Sequence, residues 1–182
     1  MNRSICDNDS VPESMIAAGE NRTNIENTSL PAVCRYDGKK LEVPMKLVHE
    51  FTLRASLKQP LTIGAGPIGT RVYYEVTGGE VIGERVRGKI LGGGEWALIG
   101  PDDFVRPDVR LQVETHDGAF LYIQYVGLLE WNDTVQSSLA NGKGTEYGDQ
   151  YFFTNPRIET GDERYAWVNT TFFIGEGHML PN

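Results

Sequence analysis

The segment 151–177 holds the residues whose types are best suited to chemistry. It combines tyrosine, tryptophan and phenylalanine with ionisable side chains, among them Arg157, Glu159 and Tyr165. A tyrosine hydroxyl can act as a general acid, an arginine can contact an oxyanion, and a carboxylate can act as a general base. These three residues are therefore the candidate catalytic groups, and none of the three roles requires a cofactor.

Candidate ligand contacts are aromatic and polar side chains expected on the same walls. A cavity with aromatic walls and a few polar groups is the usual environment for a small organic ligand. The expected partner is a small hydrophobic organic molecule, and the candidate substrate-binding residues are Arg71, Trp96, Tyr122, Gln124, Tyr151, Trp167 and Asn169. Aromatic residues at strand spacing also commonly form a core, so packing is the alternative interpretation of these positions.

The elements that would position these residues are β-strands. Strand-forming residues are common, glycine occurs 21 times and helical periodicity is rare, a composition that favours an all-β fold. Gly78-Gly79 and Gly92–Gly94 are expected to separate strands, and Gly83 and Gly88 to bend one. Strands are expected over 45–57, 71–77, 81–91, 95–99, 109–115, 119–126, 151–156 and 164–174. They predict a single antiparallel β-barrel, and the last strand would place Tyr165, Trp167 and Asn169 on one face.

The dipeptide Asp117-Gly118 gives the clearest hairpin signal in the chain. A two-residue turn there pairs Val113 with Tyr122 and Leu111 with Gln124. We take that face as the inward one, so Tyr122 and Gln124 are expected to point into the barrel.

One helix and an N-terminal arm complete the organisation. Asn132 or Asp133 can cap a helix that ends at Gly142, and this helix is expected to plug one end of the barrel. Residues 1–31 are polar and without a period, which predicts a mostly disordered arm, with the barrel domain spanning 32–182. Asp37-Gly38 predicts a further hairpin over 32–43.

Charge and hydropathy argue against several classes of partner. The formal net charge of -8 disfavours binding to nucleic acid, which requires clustered lysine and arginine, and binding to anionic membranes. No apolar run approaches the length that spans a bilayer, and the N-terminus lacks the apolar region of a secretory signal. A cytoplasmic protein is expected.

No motif indicates a cofactor or a metal. Gly64-Ala-Gly-Pro-Ile-Gly69 matches the spacing of a dinucleotide-binding turn, but a strand is expected after it where that motif needs a helix. The three histidines are widely spaced and the chain has no C-x-x-C sequence. We expect neither a cofactor nor a bound metal.

A set of short motifs resembles the family called domain of unknown function 3237. The motifs occur in the family's order across about residues 46–177. They are Arg71, Gly78-Gly79-Glu80-Val81, Gly92-Gly93-Gly94-Glu95-Trp96, Asp117-Gly118-Ala119, Tyr151-Phe152-Phe153-Thr154-Asn155-Pro156 and Tyr165-Ala166-Trp167-Val168-Asn169. The resemblance implies a calycin-like barrel that often self-associates, which makes a homodimer one expectation, and it implies no settled activity.

Two positions depart from the family pattern. Glu95 stands where aspartate usually precedes the tryptophan. Because the glutamate side chain is longer, its carboxylate would reach further than that of the aspartate. The chain also ends where relatives usually carry one further strand, which would leave an open sheet edge. We expect the hairpin over 32–43, or a second chain, to cover that edge.

Three functions remain open at this point. The first is a cofactor-independent cyclase, isomerase or lyase, including pericyclic or Michael-type ring closure, acting on a hydrophobic oxygenated natural-product-type metabolite. The second is a non-catalytic ligand-binding barrel, and the third is a structural or oligomeric barrel packed solid. An open interior that holds a carboxylate or an arginine would favour the first.

Overall fold

The computed structural model describes residues 31–36, 39–44 and 46–181. The chain divides into two compact units between Val48 and His49. In the N-terminal unit, β1 (Pro31–Tyr36) and β2 (Lys39–Pro44) pair antiparallel in a two-stranded sheet of their own, as the hairpin signal predicts. Residues 1–30 of the arm expected over 1–31 and the Asp37-Gly38 turn lie outside the described residues.

The second unit is built on a nine-stranded antiparallel sheet, which confirms the all-β prediction. Its strands are β3 (Phe51–Leu57), β4 (Leu61–Gly66), β5 (Gly69–Gly83), β6 (Arg87–Ile99), β7 (Phe104–Arg106), β8 (Asp108–Thr115), β9 (Phe120–Glu130), β10 (Phe152–Glu159) and β11 (Gly175–Glu176). The order is β11-β10-β9-β7-β6-β5-β3, with β4 beside β5 and β8 between β6 and β9. β11 pairs with β10 at one edge of the sheet, and the covering of an edge by the hairpin over 32–43 or by a second chain stays a prediction.

Two long strands replace the shorter ones expected around the glycine pairs. β5 runs through Gly78-Gly79 and β6 through Gly92–Gly94, so the predicted strand ends at these glycines are wrong. Gly79 has φ of +136° and Gly93 of +154°, and a Cβ on either would overlap a carbonyl oxygen of the adjacent strand. The glycines therefore allow close strand approach and a bend within a continuous strand.

Of the two helices in the structure, the first was predicted from the sequence and the second was not. α1 (Asp133–Asn141) begins at the Asn132 side chain, which accepts a hydrogen bond from the Val135 amide at 3.0 Å, and ends at a left-handed Gly142, as predicted. Residues Glu163–Thr170, however, form a 3₁₀ helix where a strand was expected over 164–174. Asp162 caps this helix by accepting from the Arg164 amide, and such local capping outweighs the strand propensity of the aromatic residues.

The β8–β9 register differs by one residue from the expected one. Val113 pairs with Leu121 and Leu111 with Ile123, because the Thr115 amide bonds to the Ala119 carbonyl and so closes a longer turn. A one-residue shift exchanges the two faces of a strand. The prediction that Tyr122 and Gln124 point inward is therefore wrong.

Two apolar clusters fill the inner face, which we define as the sheet face that carries Val109, Leu111 and Val113. The larger cluster contains these residues and is covered by the 3₁₀ helix, whereas the smaller one contains Val135 of α1. Phe51 of β3 contacts Phe173 of the segment between the 3₁₀ helix and β11, with ring centroids 5.9 Å apart. The sheet thus curls into a barrel-like shape whose seam is closed by side chains.

Candidate functional site

A row of five residues crosses the inner face of the sheet. Glu95 of β6 lies opposite Tyr74 of β5 and opposite Val109 of β8. Val109 in turn lies opposite Tyr125 of β9, whose other neighbour is Pro156 of β10. Directly opposed residues in antiparallel strands project from the same face. Because Val109 belongs to the core, the Glu95 row (Tyr74, Glu95, Val109, Tyr125 and Pro156) points into the barrel.

The Glu95 row lies between the two apolar clusters. Tyr125 packs against the larger cluster and Tyr74 against the smaller one. In the larger cluster Leu111 and Val113 are 0% exposed, whereas Tyr74, Glu95 and Tyr125 each keep part of their surface accessible. The inner face is therefore fully buried at Leu111 and partly accessible at the level of Glu95.

Burial controls the protonation of the row. It raises the pKa of Glu95 from the ordinary 4.5 to about 7, because protein atoms displace the water that would solvate the carboxylate. Burial also raises the pKa of Tyr125 and of Tyr74, and the nearby Glu95 carboxylate adds to both effects. Near neutral pH, Glu95 can thus donate or accept a proton while both phenols stay protonated.

The candidate catalytic residues from the sequence do not share this interior. Arg157 and Glu159 project from the opposite, outer face of β10 and form an ion pair with each other at 3.0 Å. Tyr165 lies on the 3₁₀ helix, and its hydroxyl donates to Asp117 at 2.9 Å. That bond places Tyr165 in a network with Arg164, which bonds the other Asp117 oxygen at 2.9 Å. The structure therefore separates the three residues into two surroundings.

Several candidate substrate-binding residues lie together on the outer face. The Tyr122 hydroxyl donates to Gln124 at 3.3 Å, and Gln124 pairs in register with Arg157. On β5 and β6, Arg71 donates to the Trp96 carbonyl at 2.9 Å. These residues form a polar and aromatic surface on the outside of the sheet.

The remaining candidate ligand contacts are scattered. Tyr151 packs edge-on against Phe153 at a centroid distance of 4.9 Å, and both rings are exposed. Trp167 lies under the Arg85 guanidinium, 3.6 Å from its carbon. The Asn169 amide exchanges hydrogen bonds with the backbone of residue 160. Asn169 thus supports the 3₁₀ helix, and Trp167 borders the larger cluster.

Sequence reasoning missed Tyr74, Glu95 and Tyr125. Strand alternation places Glu95 and Trp96 on opposite faces but does not say which of them points inward, so the expectation that Trp96 lines the cavity put Glu95 outside. Tyr125 was assigned to the outer face by the wrong hairpin register. Within the described residues no cluster of three or more metal-ligating side chains occurs.

Two open depressions lie away from the Glu95 row. One of about 430 Å³ is bordered by Lys89 and Glu114, which form an ion pair at 2.8 Å. The other, of about 330 Å³, is bordered by Arg54 and Glu80, whose side chains are 3.2 Å apart. Their charged groups satisfy each other, so neither depression offers an unused polar group comparable to Glu95. Neither helix of the described chain has the length and hydropathy needed to span a bilayer.

An antiparallel barrel-like sheet with a partly accessible acid on its inner face defines a small β-barrel-like protein. The family model described as "Protein of unknown function (DUF3237)" matches residues 45–182, and the chain belongs to this family.

Relatives occur in bacteria and in a fungus. UPF0311 protein RPA1785 of Rhodopseudomonas palustris is 31% identical over 128 residues, 70% of this chain and 84% of the relative. PR-toxin biosynthesis cluster protein 7 of Penicillium roqueforti is 26% identical over 156 residues, 74% of this chain and 83% of the relative.

Solved structures share the fold. The crystal structure of the Rhodopseudomonas palustris protein has a TM-score of 0.65 at 30% identity, covering 70% of this chain and 84% of that one. A protein of Acinetobacter baumannii described as β-barrel like has a TM-score of 0.55 at 26% identity, covering 72% and 90%. A protein of Penicillium herquei described as an enzyme has a TM-score of 0.51 at 16% identity, covering 72% and 87%, and shows the fold alone.

Proposed function

We propose that the protein is a small-molecule-binding barrel that catalyses a cofactor-independent ring closure or isomerisation of an oxygenated aromatic metabolite. Glu95 would transfer the proton, and the Tyr74 and Tyr125 hydroxyls would position the substrate oxygen. The observation that carries the proposal is the burial of Glu95 in an accessible interior, which brings its pKa to about 7. An acid with a pKa near the working pH is well suited to both halves of a proton transfer.

The proposed roles differ from those assigned by sequence. Arg157 and Glu159 neutralise each other on the outer face, and the Tyr165 hydroxyl is occupied by Asp117. Glu95 has no such partner to offset its burial, since desolvation is the cause of its raised pKa. A free acid inside the barrel can act on a ligand more readily than an acid already bound to an arginine.

A Michael-type closure illustrates how the row could act. In a 2′-hydroxychalcone, the phenol oxygen bonds to the β-carbon of the enone while the alkene electron pair moves toward the carbonyl oxygen. The Glu95 carboxylate takes the phenol proton and returns it to the α-carbon of the enolate, so product and substrate are isomers. A tyrosine hydroxyl that donates to the enolate oxygen stabilises the charge as it develops.

The comparison with Penicillium roqueforti supports the class of substrate. That relative is named as a biosynthesis cluster protein, and it aligns with 74% of this chain. A natural-product-type substrate is consistent with an interior of tyrosine and aliphatic side chains. Such a site can accelerate a cyclisation by holding one reactive conformer.

The test uses 2′-hydroxychalcone, which closes to flavanone without a cofactor. We expect the protein to accelerate the loss of chalcone absorbance and to give one flavanone enantiomer in excess, measured by chiral chromatography. Glu95→Gln should lower the rate by about 100-fold or more, whereas Glu80→Gln, an exposed carboxylate paired with Arg54, should not.

The product distinguishes the outcomes of this test. A racemic product formed no faster than in buffer without protein would contradict catalysis of this reaction. A second outcome is that the chalcone binds to the wild-type protein, fails to bind to a variant whose interior is filled by a larger side chain, and yet is not converted. In that case the non-catalytic binding barrel is the better description. A pH–rate profile without a transition near the Glu95 pKa would remove Glu95 from the mechanism.

A further inference from the structure

We propose that the interior site at Glu95 accepts uncharged ligands and excludes anions, so that its substrate enters without a carboxylate, phosphate or sulfate group. This inference rests on the proposed function, because it concerns the substrate class of the same site.

Every cationic residue of the central strands faces away from the interior. On β5, β6, β8, β9 and β10, the residues that share the face of Val109 are uncharged except for Glu95. Arg110, whose guanidinium lies 5.5 Å from the Trp96 ring centroid, projects from the outer face together with Arg71 and Arg157. No cation on these described strands can therefore neutralise an anion beside Glu95.

Two arginines at one end of the barrel are already paired with carboxylates. Arg85 donates two hydrogen bonds of 2.7 Å to Glu50, and its guanidinium stacks on Trp167. Arg164 is bound by both Asp117 and Asp162. Arg87 at the same end donates to the Gly83 carbonyl and lies opposite Ile82, on the outer face. An anion would have to displace a carboxylate from a charge-assisted pair to reach Arg85 or Arg164, which is a costly exchange.

The two helices bury side chains that carry no charge. The 3₁₀ helix buries Tyr165 and Val168, and α1 buries Val135 and Ser138. The titratable groups that share the inner face at the level of Glu95 are Tyr74 and Tyr125, and neither provides a positive charge.

The energetic consequence differs between anions and neutral molecules. An anion loses its hydration on entry and meets a carboxylate, and the protein returns no opposite charge. A carbonyl or amide oxygen loses much less hydration and can accept hydrogen bonds from tyrosine hydroxyls or from protonated Glu95. The site therefore discriminates by charge even between molecules of the same shape.

A matched pair of probes tests this discrimination. Naphthalene-2-carboxamide and naphthalene-2-carboxylate have nearly the same shape and differ by one charge. We expect isothermal titration calorimetry on the full chain at neutral pH to show at least about tenfold tighter binding of the amide, which corresponds to about 1.4 kcal/mol. Amide shifts in NMR spectra should locate the bound amide at Tyr74, Glu95 and Tyr125.

Two variants connect the discrimination to Glu95. Glu95→Gln removes the negative charge, so the carboxylate should gain affinity severalfold while the carboxamide changes by less than about twofold. Glu80→Gln, on the outer face, should leave the ratio of the two affinities unchanged. These comparisons use folded proteins, and a thermal unfolding transition establishes that each variant is folded.

The outcomes separate this inference from the proposed function. Equal affinities, tighter binding of the carboxylate, or binding of neither probe up to its solubility limit would overturn the inference. Conversion of 2′-hydroxychalcone without charge discrimination would keep the proposed function and remove only the inference. Discrimination without conversion would keep the neutral-ligand site and remove the catalytic role.

Discussion

Replacing Glu95 by glutamine should change how the stability of the protein depends on pH. The pKa of Glu95 is about 7 in the folded protein and close to the ordinary 4.5 in the unfolded chain. Between these values the folded state holds a proton that the unfolded state has lost. The free energy of unfolding of the wild-type protein should therefore fall as the pH rises through this range.

The size of the effect follows from the two pKa values. They differ by about 2.5, and each pKa unit corresponds to about 1.4 kcal/mol. Ionised Glu95 therefore destabilises the folded state by about 3 kcal/mol above the folded pKa, and this penalty vanishes below the unfolded pKa. Glutamine is uncharged at every pH, so Glu95→Gln should gain about 3 kcal/mol relative to wild type between about pH 4 and about pH 8.

Urea denaturation at several pH values measures this difference. Histidines and other carboxyls titrate in both proteins, so their contributions cancel when the two profiles are subtracted. Glu80→Gln serves as the matched control, because its carboxylate is exposed and paired with Arg54. Parallel profiles for wild type and Glu95→Gln would refute the view that burial holds the carboxyl protonated near neutral pH.

Three further substitutions test the packing around the site, each by urea denaturation. Leu111→Ala should lower the free energy of unfolding by about 2–5 kcal/mol, because a fully buried side chain leaves a cavity. Tyr165→Phe removes the hydrogen bond to Asp117 and should cost about 2 kcal/mol. This cost should shrink in acid, because the folded pKa of Asp117 lies below its ordinary value and protonation removes the charge-assisted bond. Gly93→Ala should cost more than about 2 kcal/mol, because the new Cβ would overlap the Arg110 carbonyl oxygen.

Each substitution has a control on the same chain. Leu128→Ala changes a leucine that is 39% exposed and should cost much less than Leu111→Ala. Tyr147→Phe changes an exposed tyrosine and should be nearly neutral. Gly148→Ala keeps a positive φ of +94° with no atom near the new Cβ, so it isolates the cost of the backbone angle. Equal losses in Gly93→Ala and Gly148→Ala would contradict the overlap argument.

The features that the sequence predicted correctly depend on short local patterns. Asn132 and Gly142 bracket α1 because a side-chain cap and a left-handed glycine are effective within a few residues of the helix ends. The existence of the β8–β9 hairpin follows from the Asp117-Gly118 turn between two strand-like runs. The antiparallel fold follows from the same alternation repeated along the chain.

The features that it missed depend on side-chain hydrogen bonds within a turn and on contacts between distant segments. The Thr115 hydroxyl bonds to Asp117 and to the Ala119 amide, which stabilises a longer turn than the predicted two-residue one. The longer turn shifts the register by one residue and so exchanges the two faces of β9. Gly79 and Gly93 bend strands because backbone from neighbouring strands approaches them. Local composition cannot distinguish such a bend from a turn.

The candidate site could not be predicted because its defining property is environmental. Glu95 titrates near neutrality only because Tyr74, Tyr125 and the two apolar clusters surround it. The hairpin register error had placed Tyr125 outside, so the three residues could not be grouped. The candidate site residues chosen from the sequence instead combined outer-face residues such as Arg157 with residues of the 3₁₀ helix.

The seam between Phe51 and Phe173 gives this barrel an adjustable circumference. A barrel closed by hydrogen bonds has a size fixed by its strand number and stagger. Here the ring of Phe51 on β3 meets the ring of Phe173, which lies in the segment before β11, so a larger or smaller side chain at either position could widen or narrow the interior while every strand register stays the same. Two substitutions would then change the width of the interior without a change in strand number or stagger.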